Sequence, residues 1–261
     1  MSRNAAHATN ADRGPHEETE GIGRGAPLPP VVRFEAVSGP DGGDGAALRG
    51  LSFALPPGSF YVLTGKPGSG KTRLLNLIQA AAPPARGRIE LFGRDVAGLR
   101  RKDRALTRGR IGMLAMEPRF VDHLPVFDNA ALGPRLAGRK PQSYRDEVAQ
   151  LLAWVGLTKR MGDPPGDLSA GERRRLALGR ALANGPAVLL VDEPADDVDA
   201  ATADRVLRLL GELNGAGITL LIATGDENLA FRLEQPVMRL QAGRLTRIDN
   251  AAQGAAWGEP P

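Results

Sequence analysis

Short, continuous apolar runs alternate along this chain with longer stretches in which apolar residues recur at the helical period. The runs at 60–64, 187–191 and 218–223 lack the regular polar alternation of a half-exposed strand. Such runs are typical of strands that are buried on both faces of a parallel sheet. Amphipathic stretches at 71–81 and 200–213 separate these runs, and strands that alternate with helices form α/β sheets. The pattern therefore predicts an α/β domain with a mostly parallel central sheet.

The same pattern divides the chain into regions. Residues 1–30 and 250–261 contain no periodic apolar residues. We therefore expect a disordered N-terminal tail and a frayed C-terminal tail around an ordered domain at 31–249. Within this domain, residues at about 117–165 mix Pro, Gly and aromatic residues with one clear amphipathic helix from Ser143 onwards. We interpret this segment as an inserted helical subdomain.

Composition narrows the classes of protein that this chain can represent. Its 261 residues are 42% hydrophobic, enough for a large core, and they include no cysteine, which excludes disulfide and thiolate chemistry. The formal net charge is +4, but the basic residues are spread along the chain and alternate with acidic ones. We therefore expect no nucleic-acid partner. No apolar run approaches the roughly 20 residues that span a bilayer, and the N-terminus lacks the layout of a signal peptide.

A glycine-rich turn, Gly-Lys-Pro-Gly-Ser-Gly-Lys-Thr at 65–72, stands between the first apolar run and the first helix. Glycines allow a tight turn whose backbone N–H groups converge on an anion, and the helix that follows adds its positive end. The complete motif between strand and helix predicts a phosphate-binding loop rather than an ordinary turn. In such a loop Lys71 reaches the β- and γ-phosphates, and the Thr72 hydroxyl is a ligand of Mg²⁺. The candidate ATP-binding residues are Gly65, Lys66, Pro67, Gly68, Ser69, Gly70, Lys71, Thr72 and Arg73.

Two acidic residues, Asp192 and Glu193, follow the buried run at 187–191. Ligands bind at the carboxyl ends of the strands in open α/β sheets. Asp192 is therefore the candidate ligand of Mg²⁺ beside Thr72, and Glu193, pointing the other way, is the candidate general base for an attacking water. An acidic pair that only caps the next element is the alternative, and the phosphate-binding loop upstream favours the catalytic interpretation.

The segment Leu168-Ser-Ala-Gly-Glu172 precedes a predicted helix. Serine at that position either caps the helix or offers a hydroxyl and free N–H groups to a phosphate. With this segment placed before the Asp192–Glu193 strand, the chain over residues 31–249 resembles the ATP-binding subunits of ABC transporters. The resemblance identifies the signature residues as Ser169, Ala170, Gly171 and Glu172, and the aspartate of the loop after the second nucleotide motif as Asp199.

The resemblance implies a fold, a partner and a location. The fold is that of a P-loop NTPase of the ABC type, with an antiparallel β subdomain and a helical subdomain beside the mostly parallel sheet. Two subunits of the family pack head to tail, so Ser169 and Gly171 would act on the ATP and Mg²⁺ bound by the partner copy. An integral membrane, permease-like subunit would hold the homodimer on the inner face of the plasma membrane, in the cytoplasm.

Three residues that the family pattern leads us to expect are missing. Near Asp41 there is no aromatic to stack on adenine, Met116 stands in place of a Gln that ligates Mg²⁺, and Gly225 stands in place of a histidine. Glu117 is adjacent and could replace the Gln, but a shift of one residue on an extended segment such as the strand expected at 111–116 turns the side chain to the other face. ATP hydrolysis is therefore expected to be slow.

Several functions stay open at this stage. The motifs resemble the cell-division branch of the family most, and the lipoprotein-release and macrolide-efflux branches share much of them. The missing Gln and His favour a different class, a scaffold subunit that binds nucleotide without hydrolysing it. The segment Met116–Asn129 is a candidate docking surface for the membrane partner, because its large apolar residues follow no amphipathic period. These residues are Phe120, Leu124, Val126 and Phe127. A second core in the helical subdomain is the alternative.

Overall fold

The computed structural model describes residues 28–39, 46–79, 83–196 and 198–249. Asp41 and most of the two expected tails, 1–30 and 250–261, lie outside these residues. The strands are β1 Val32–Ser38, β2 Leu51–Leu55, β3 Phe60–Thr64, β4 Arg86–Leu91, β5 Arg94–Asp95, β6 Ile111–Leu114, β7 Val188–Asp192, β8 Thr219–Thr224, β9 Val237–Gln241 and β10 Arg244–Asp249. The helices are α1 Lys71–Ile78, α2 Arg101–Gly109, α3 Val126–Ala130, α4 Leu132–Leu136, α5 Arg145–Trp154, α6 Ala170–Leu182, α7 Ala200–Gly215 and α8 Glu227–Arg232.

The strands form two sheets. The larger sheet has the order β10-β9-β3-β8-β7-β6, and its members are parallel except for β10, which pairs antiparallel with β9. The smaller sheet, β2-β1-β4-β5, is antiparallel throughout. Helices α3, α4 and α5 lie between β6 and α6 in the chain. The predicted fold class, a mostly parallel sheet with an antiparallel sheet and additional helices, is confirmed.

The central sheet separates two hydrophobic cores. Leu190 and Leu221 pack into the core shared with the antiparallel sheet and α1. Their chain neighbours Leu189, Leu220 and Ile222 pack into the core beneath α5, α6 and α7. Successive side chains of a strand point to opposite faces. Continuous apolar runs in β7 and β8 are therefore required to fill both cores.

The register of β3, β7 and β8 brings the candidate residues to one edge of the sheet. Thr64 pairs with Thr224, and Asp192 pairs with Ala223. The three strands are parallel, so the loops that follow them leave from the same edge. Glu193 and Gly225 therefore lie close to the phosphate-binding loop.

The strand predicted at 111–116 is shorter than expected. β6 ends at Leu114, because the carbonyls of Ala115 and Met116 accept hydrogen bonds from the Arg174 side chain rather than from a neighbouring strand. The sequence reasoning also missed the short helix α8, which begins where the Asp226 carboxylate accepts a hydrogen bond from the Asn228 amide at 2.8 Å.

Candidate nucleotide-binding site

The loop between β3 and α1 depends on glycine at three positions. Gly68 and Gly70 have φ angles of 78° and 105°, in the left-handed region that other residues avoid. Gly65 is needed for a different reason. A Cβ atom at this position would lie 2.4 Å from the Leu240 carbonyl oxygen and 2.5 Å from Ser69 Oγ. The backbone is therefore folded more tightly than any larger residue allows.

Lys71 is 7% exposed and lies inside this loop. Its Nζ donates to the carbonyl oxygen of Gly65 at 2.7 Å and lies 3.3 Å from Oε1 of Glu193. The ammonium group thus connects the start of the loop to the carboxylate that follows β7. A compact cation with three donors is suited to this position, and to phosphate oxygens that would take the place of these partners.

Thr72 and Asp192 form a direct pair. The Thr72 hydroxyl donates to Oδ2 of Asp192 at 2.7 Å. Burial raises the pKa of Asp192, and the nearby Glu193 adds to this rise, whereas the hydrogen bond from Thr72 and the positive charges of Lys71 and Arg174 oppose it. The carboxylate therefore lies where an additional cation would stabilise its ionised form.

Glu193 has an unusual backbone and two partners for its carboxylate. Its φ angle is 46°, in the left-handed region, and its N–H donates to the Ala223 carbonyl at 2.9 Å. The Gly225 amide donates to Oε1 and Oε2 of Glu193 at 2.9 and 3.0 Å. With Lys71 on the other side, the side chain of Glu193 is held at the nucleotide edge.

A second group of candidate residues lies at the starts of α6 and α7: Ser169, Gly171, Glu172 and Asp199. The Ser169 hydroxyl accepts from the Glu172 amide at 3.2 Å, and Glu172 Oε2 accepts from the Ser169 amide at 2.9 Å, which is a complete capping box. The hydrogen bond from the Ser169 amide is the main cause that lowers the pKa of Glu172, and the positive charge of Arg160 lowers this pKa further. Both interpretations of the signature stay open, because the capping geometry leaves Ser169 exposed.

The two helix starts are packed against each other. A Cβ atom at Gly171 would lie 2.9 Å from Thr202 Oγ1, so only glycine fits there without displacement. Asp199 caps α7, because its carboxylate accepts hydrogen bonds from the Thr202 hydroxyl at 2.7 Å and from the Thr202 amide at 2.9 Å. The Thr202 hydroxyl is the main cause that lowers the pKa of Asp199.

The remaining predicted residues lie around these two groups. Met116 is 40% exposed and, with Glu117 and Ala170, lines a cavity of about 260 Å³ between the end of β6 and the start of α6. Arg73 donates to the carbonyl of Ala46 at 3.2 Å, toward the β1–β2 connection. Lys66, exposed, lines a second cavity of about 490 Å³ beside the loop.

The sequence reasoning missed Arg174, which is 4% exposed and connects both groups. Its guanidinium donates to the carbonyls of Ala115, Met116, Glu193 and Asp196. A signal was available: Arg174 precedes the buried Ala177 and Leu178 by three and four residues on α6, so it lies on the apolar face of that helix.

The oxygen atoms at this edge of the sheet fit a magnesium nucleotide. Within the described ranges, three buried side-chain oxygens at this edge have no hydrogen-bond partner: Thr64 Oγ1, Ser69 Oγ and Asp192 Oδ1. Buried polar atoms without partners require an explanation, and a bound ligand is a common one. A carboxylate and a hydroxyl are the oxygen donors that Mg²⁺ prefers. The residues present therefore fit the ion and a phosphate chain.

Comparison with known proteins identifies the class. The family model described as ABC transporter matches residues 48–196. The chain belongs to the ABC transporter family as an ATP-binding subunit, and that family consists of ATP-hydrolysing enzymes that bind ATP with Mg²⁺. No helix in the described part of the chain combines the length and apolar character needed to cross a bilayer.

Individual relatives come from more than one branch of the family. The chain is 37% identical over 215 residues to the cell division ATP-binding protein FtsE of Escherichia coli (strain K12), covering 82% of this chain and 97% of that protein. It is 38% identical over 200 residues to the lipoprotein-releasing system ATP-binding protein LolD of Novosphingobium aromaticivorans, covering 76% and 89%. A dimeric structure of the ATP-binding cassette MJ0796 with ADP and Pi, in a post-hydrolysis state, superposes with a TM-score of 0.77 at 26% identity, covering 85% and 99%.

Proposed function

We propose that this chain is the ATP-binding subunit of an FtsE–FtsX-like complex, in which ATP binding and slow hydrolysis act on a membrane partner during cell division. The observation that carries the proposal is the meeting of two pairs at one sheet edge, Lys71 with Glu193 at 3.3 Å and Thr72 with Asp192 at 2.7 Å. The likeness to FtsE supports the choice of branch.

The binding step follows from the charges and donors of the loop. The backbone N–H groups at Gly68–Thr72 and the ammonium of Lys71 would bind the phosphates. Thr72 and Asp192 would hold Mg²⁺, which when bound neutralises charge that develops on the transferred phosphate. Arrival of the anion would draw Lys71 from its present distance of 3.3 Å to Glu193. The Glu193 carboxylate would then stay on the Gly225 amide, free to accept a proton from water.

A head-to-tail homodimer would complete the site. Ser169 and Gly171 begin α6 at an exposed surface, and we infer that they contact the nucleotide of the partner copy. The dimeric structure of MJ0796 supports a dimer for this chain. The subunit would be cytoplasmic and bound to the inner face of the plasma membrane through an integral, permease-like partner.

The docking surface proposed for this partner is the segment Met116–Asn129 together with the neighbouring groove. Val126 is fully buried in the core beneath α6, which agrees with a structural role for that residue. Phe127 and Asp128, however, line a groove of about 590 Å³ with Arg135 and Tyr144. We propose that this groove receives a cytoplasmic segment of the membrane partner.

Two other functions have specific support. The similarity to LolD favours the ATPase of a lipoprotein-release or macrolide-efflux type transporter. Glycine at 225 favours a scaffold that binds nucleotide without hydrolysis, since the carboxylate of Glu193 then lacks a histidine neighbour. A neighbouring reading frame that encodes a four-helix membrane protein with a large external loop, and that co-purifies with this chain, would favour the cell-division complex over both transporters.

Lys71→Ala tests the proposal directly. We expect the variant to lose Mg-ATP binding in calorimetry, because Lys71 is the buried cation of the loop and its removal leaves the phosphate charge uncompensated. Lys102→Ala, on the exposed face of α2, is the charge-matched control and should bind as the wild type does. Equal affinity of wild type and Lys71→Ala would refute nucleotide binding at this loop.

A further inference from the structure

The side chain of Arg174 occupies a position that the proposed function does not yet use. One guanidinium nitrogen, Nη1, donates to the carbonyls of Ala115 and Met116, each at 3.0 Å. The other, Nη2, donates to the carbonyls of Glu193 at 3.1 Å and Asp196 at 3.0 Å. A buried charge of this kind is stable only because so many oxygens surround it.

These carbonyls belong to two separate loops. Ala115 and Met116 follow β6, where the family pattern places a ligand of Mg²⁺. Glu193 and Asp196 follow β7 and lead towards Asp199. The planar guanidinium presents its donors in a fixed arrangement, so the two loops are held at a fixed distance from each other. A lysine has one nitrogen and cannot hold both pairs in the same way.

Glu193 is the residue whose position depends most on this contact. Its φ angle of 46° is unfavourable for a residue with a side chain, so surrounding bonds must maintain it. The Glu193 N–H is bound to the Ala223 carbonyl at 2.9 Å, and the Glu193 carbonyl is bound to Arg174. Without Arg174, the Glu193 carbonyl retains only the longer hydrogen bond from the Asp196 amide, at 3.3 Å, and the backbone can relax.

We propose that Arg174 is a positioning residue for ATP hydrolysis, which fixes the Glu193 carboxylate by coupling the loop after β6 to the loop after β7. The inference rests on the proposed ATPase function. Arg174 contacts neither nucleotide nor water in this role; it acts through the backbone of Glu193. Because Arg174 lies on the signature helix, two residues beyond Glu172 of the capping box, movement of that helix would move both loops together.

The test uses the full chain with Arg174→Gln, which removes the charge and half of the donors, and Arg174→Lys, which keeps the charge. Arg173→Gln is the matched control, since Arg173 is the preceding residue of α6 and contacts Phe120 and the Pro165 carbonyl instead. Three quantities are measured: Kd for Mg-ATP by calorimetry, single-turnover hydrolysis with protein in excess, and amide hydrogen exchange.

We expect Arg174→Gln to lower the hydrolysis rate by on the order of 10²-fold, because a small misplacement of a catalytic group has that effect. Kd should change by less than about threefold, since no phosphate contact is lost. Amide exchange should rise in both segments, 114–118 and 192–196, and not in the control. Arg174→Lys should recover part of the rate.

An unchanged hydrolysis rate with an unchanged Kd in folded Arg174→Gln would overturn the proposal, and so would faster exchange in only one of the two segments. If Arg174→Gln does not fold, Arg174→Lys provides the same comparison with the charge retained. Failure of the wild type to bind ATP would refute the proposed function instead. Exchange in the nucleotide-free protein would then still decide whether Arg174 couples the two loops.

Discussion

Replacing Gly225 with histidine should accelerate ATP hydrolysis. Gly225 follows β8 and lies beside the Glu193 carboxylate, where the resemblance to the family leads us to expect a histidine. A Cβ atom at 225 would lie 3.6 Å from Glu193 Oε1, 3.7 Å from the Gly65 carbonyl and 3.8 Å from Lys71 Nζ. These are ordinary contact distances, and Gly225 is not among the residues with positive φ. The substitution therefore fits without backbone strain.

The size of the effect follows from what the added imidazole would contribute. A positioned polar group that stabilises a transition state is commonly worth about 10²-fold in rate, or about 2.7 kcal/mol. The Gly225 amide, which holds Glu193 now, is retained in the variant. Met116→Gln should add to the gain, since the 40% exposed side chain can be replaced by an amide of similar length that offers an oxygen ligand. The two effects need not multiply, because coupled groups are not additive.

A phosphate-release assay would compare wild type, Gly225→His, the double variant Met116→Gln with Gly225→His, and Glu193→Gln. Gly225→Ala is the matched control, because it adds the Cβ atom without the imidazole. The gain should vanish when Glu193→Gln is combined with Gly225→His. The reasoning fails if the wild type already turns over at about 1–10 per second, an ordinary enzymatic rate, and the double variant adds nothing.

Three further predictions concern stability, docking and base selectivity. Burial raises the pKa of Asp192. The stability that Asp192 contributes is therefore fully present below its pKa in the unfolded state and is lost as the pH rises through its pKa in the folded state. Asp192→Asn should therefore raise the melting temperature of the nucleotide-free protein at pH 7 and abolish the effect of Mg²⁺ on ATP affinity; a lower melting temperature would contradict this. Phe120→Asp should prevent co-purification with the membrane partner, because it places a charge on the proposed docking surface. ATP affinity should be unchanged, since the new carboxylate can pair with Arg173 and Arg180, whose guanidinium groups lie 5.3 and 4.9 Å from the Phe120 ring. Unfolding of the variant would favour a core role. Because no aromatic occurs near Asp41, GTP should compete with ATP within about tenfold, or about 1.4 kcal/mol, in competition calorimetry, and a strong preference for ATP would show that another residue holds the adenine.

The parts of the fold and site that depend on local chemistry could be predicted from the sequence. The turn at Gly65–Thr72 requires glycine at 68 and 70, where φ is positive. The continuous run before Asp192 requires a strand between two cores. Both requirements act within a few residues of the chain, so both can be predicted from the local sequence.

Contacts between distant segments could not be predicted in this way. Three arginines in succession, 173–175, look alike in the sequence. The helical period places Arg174 on the apolar face of α6, but only the packing of α6 against the loops after β6 and β7 supplies the four carbonyls that its guanidinium binds. The same applies to Glu193, whose carboxylate is held by the amide of Gly225 from another strand. Its expected orientation toward a water stays a prediction.

The capping box at the start of α6 has a consequence for how quickly a dimer could close. A serine hydroxyl can accept one hydrogen bond and donate another at the same time. Ser169 Oγ already accepts from the Glu172 amide at 3.2 Å, which fixes the oxygen and, in the proposed dimer, would leave its proton for a phosphate of the partner copy. Arg160 Nε lies 3.2 Å from Glu172 Oε1 and offsets the negative charge that this phosphate would otherwise meet. Little rotational freedom would then be lost at Ser169 on contact, so the encounter itself, rather than rearrangement of the signature, would set the association rate.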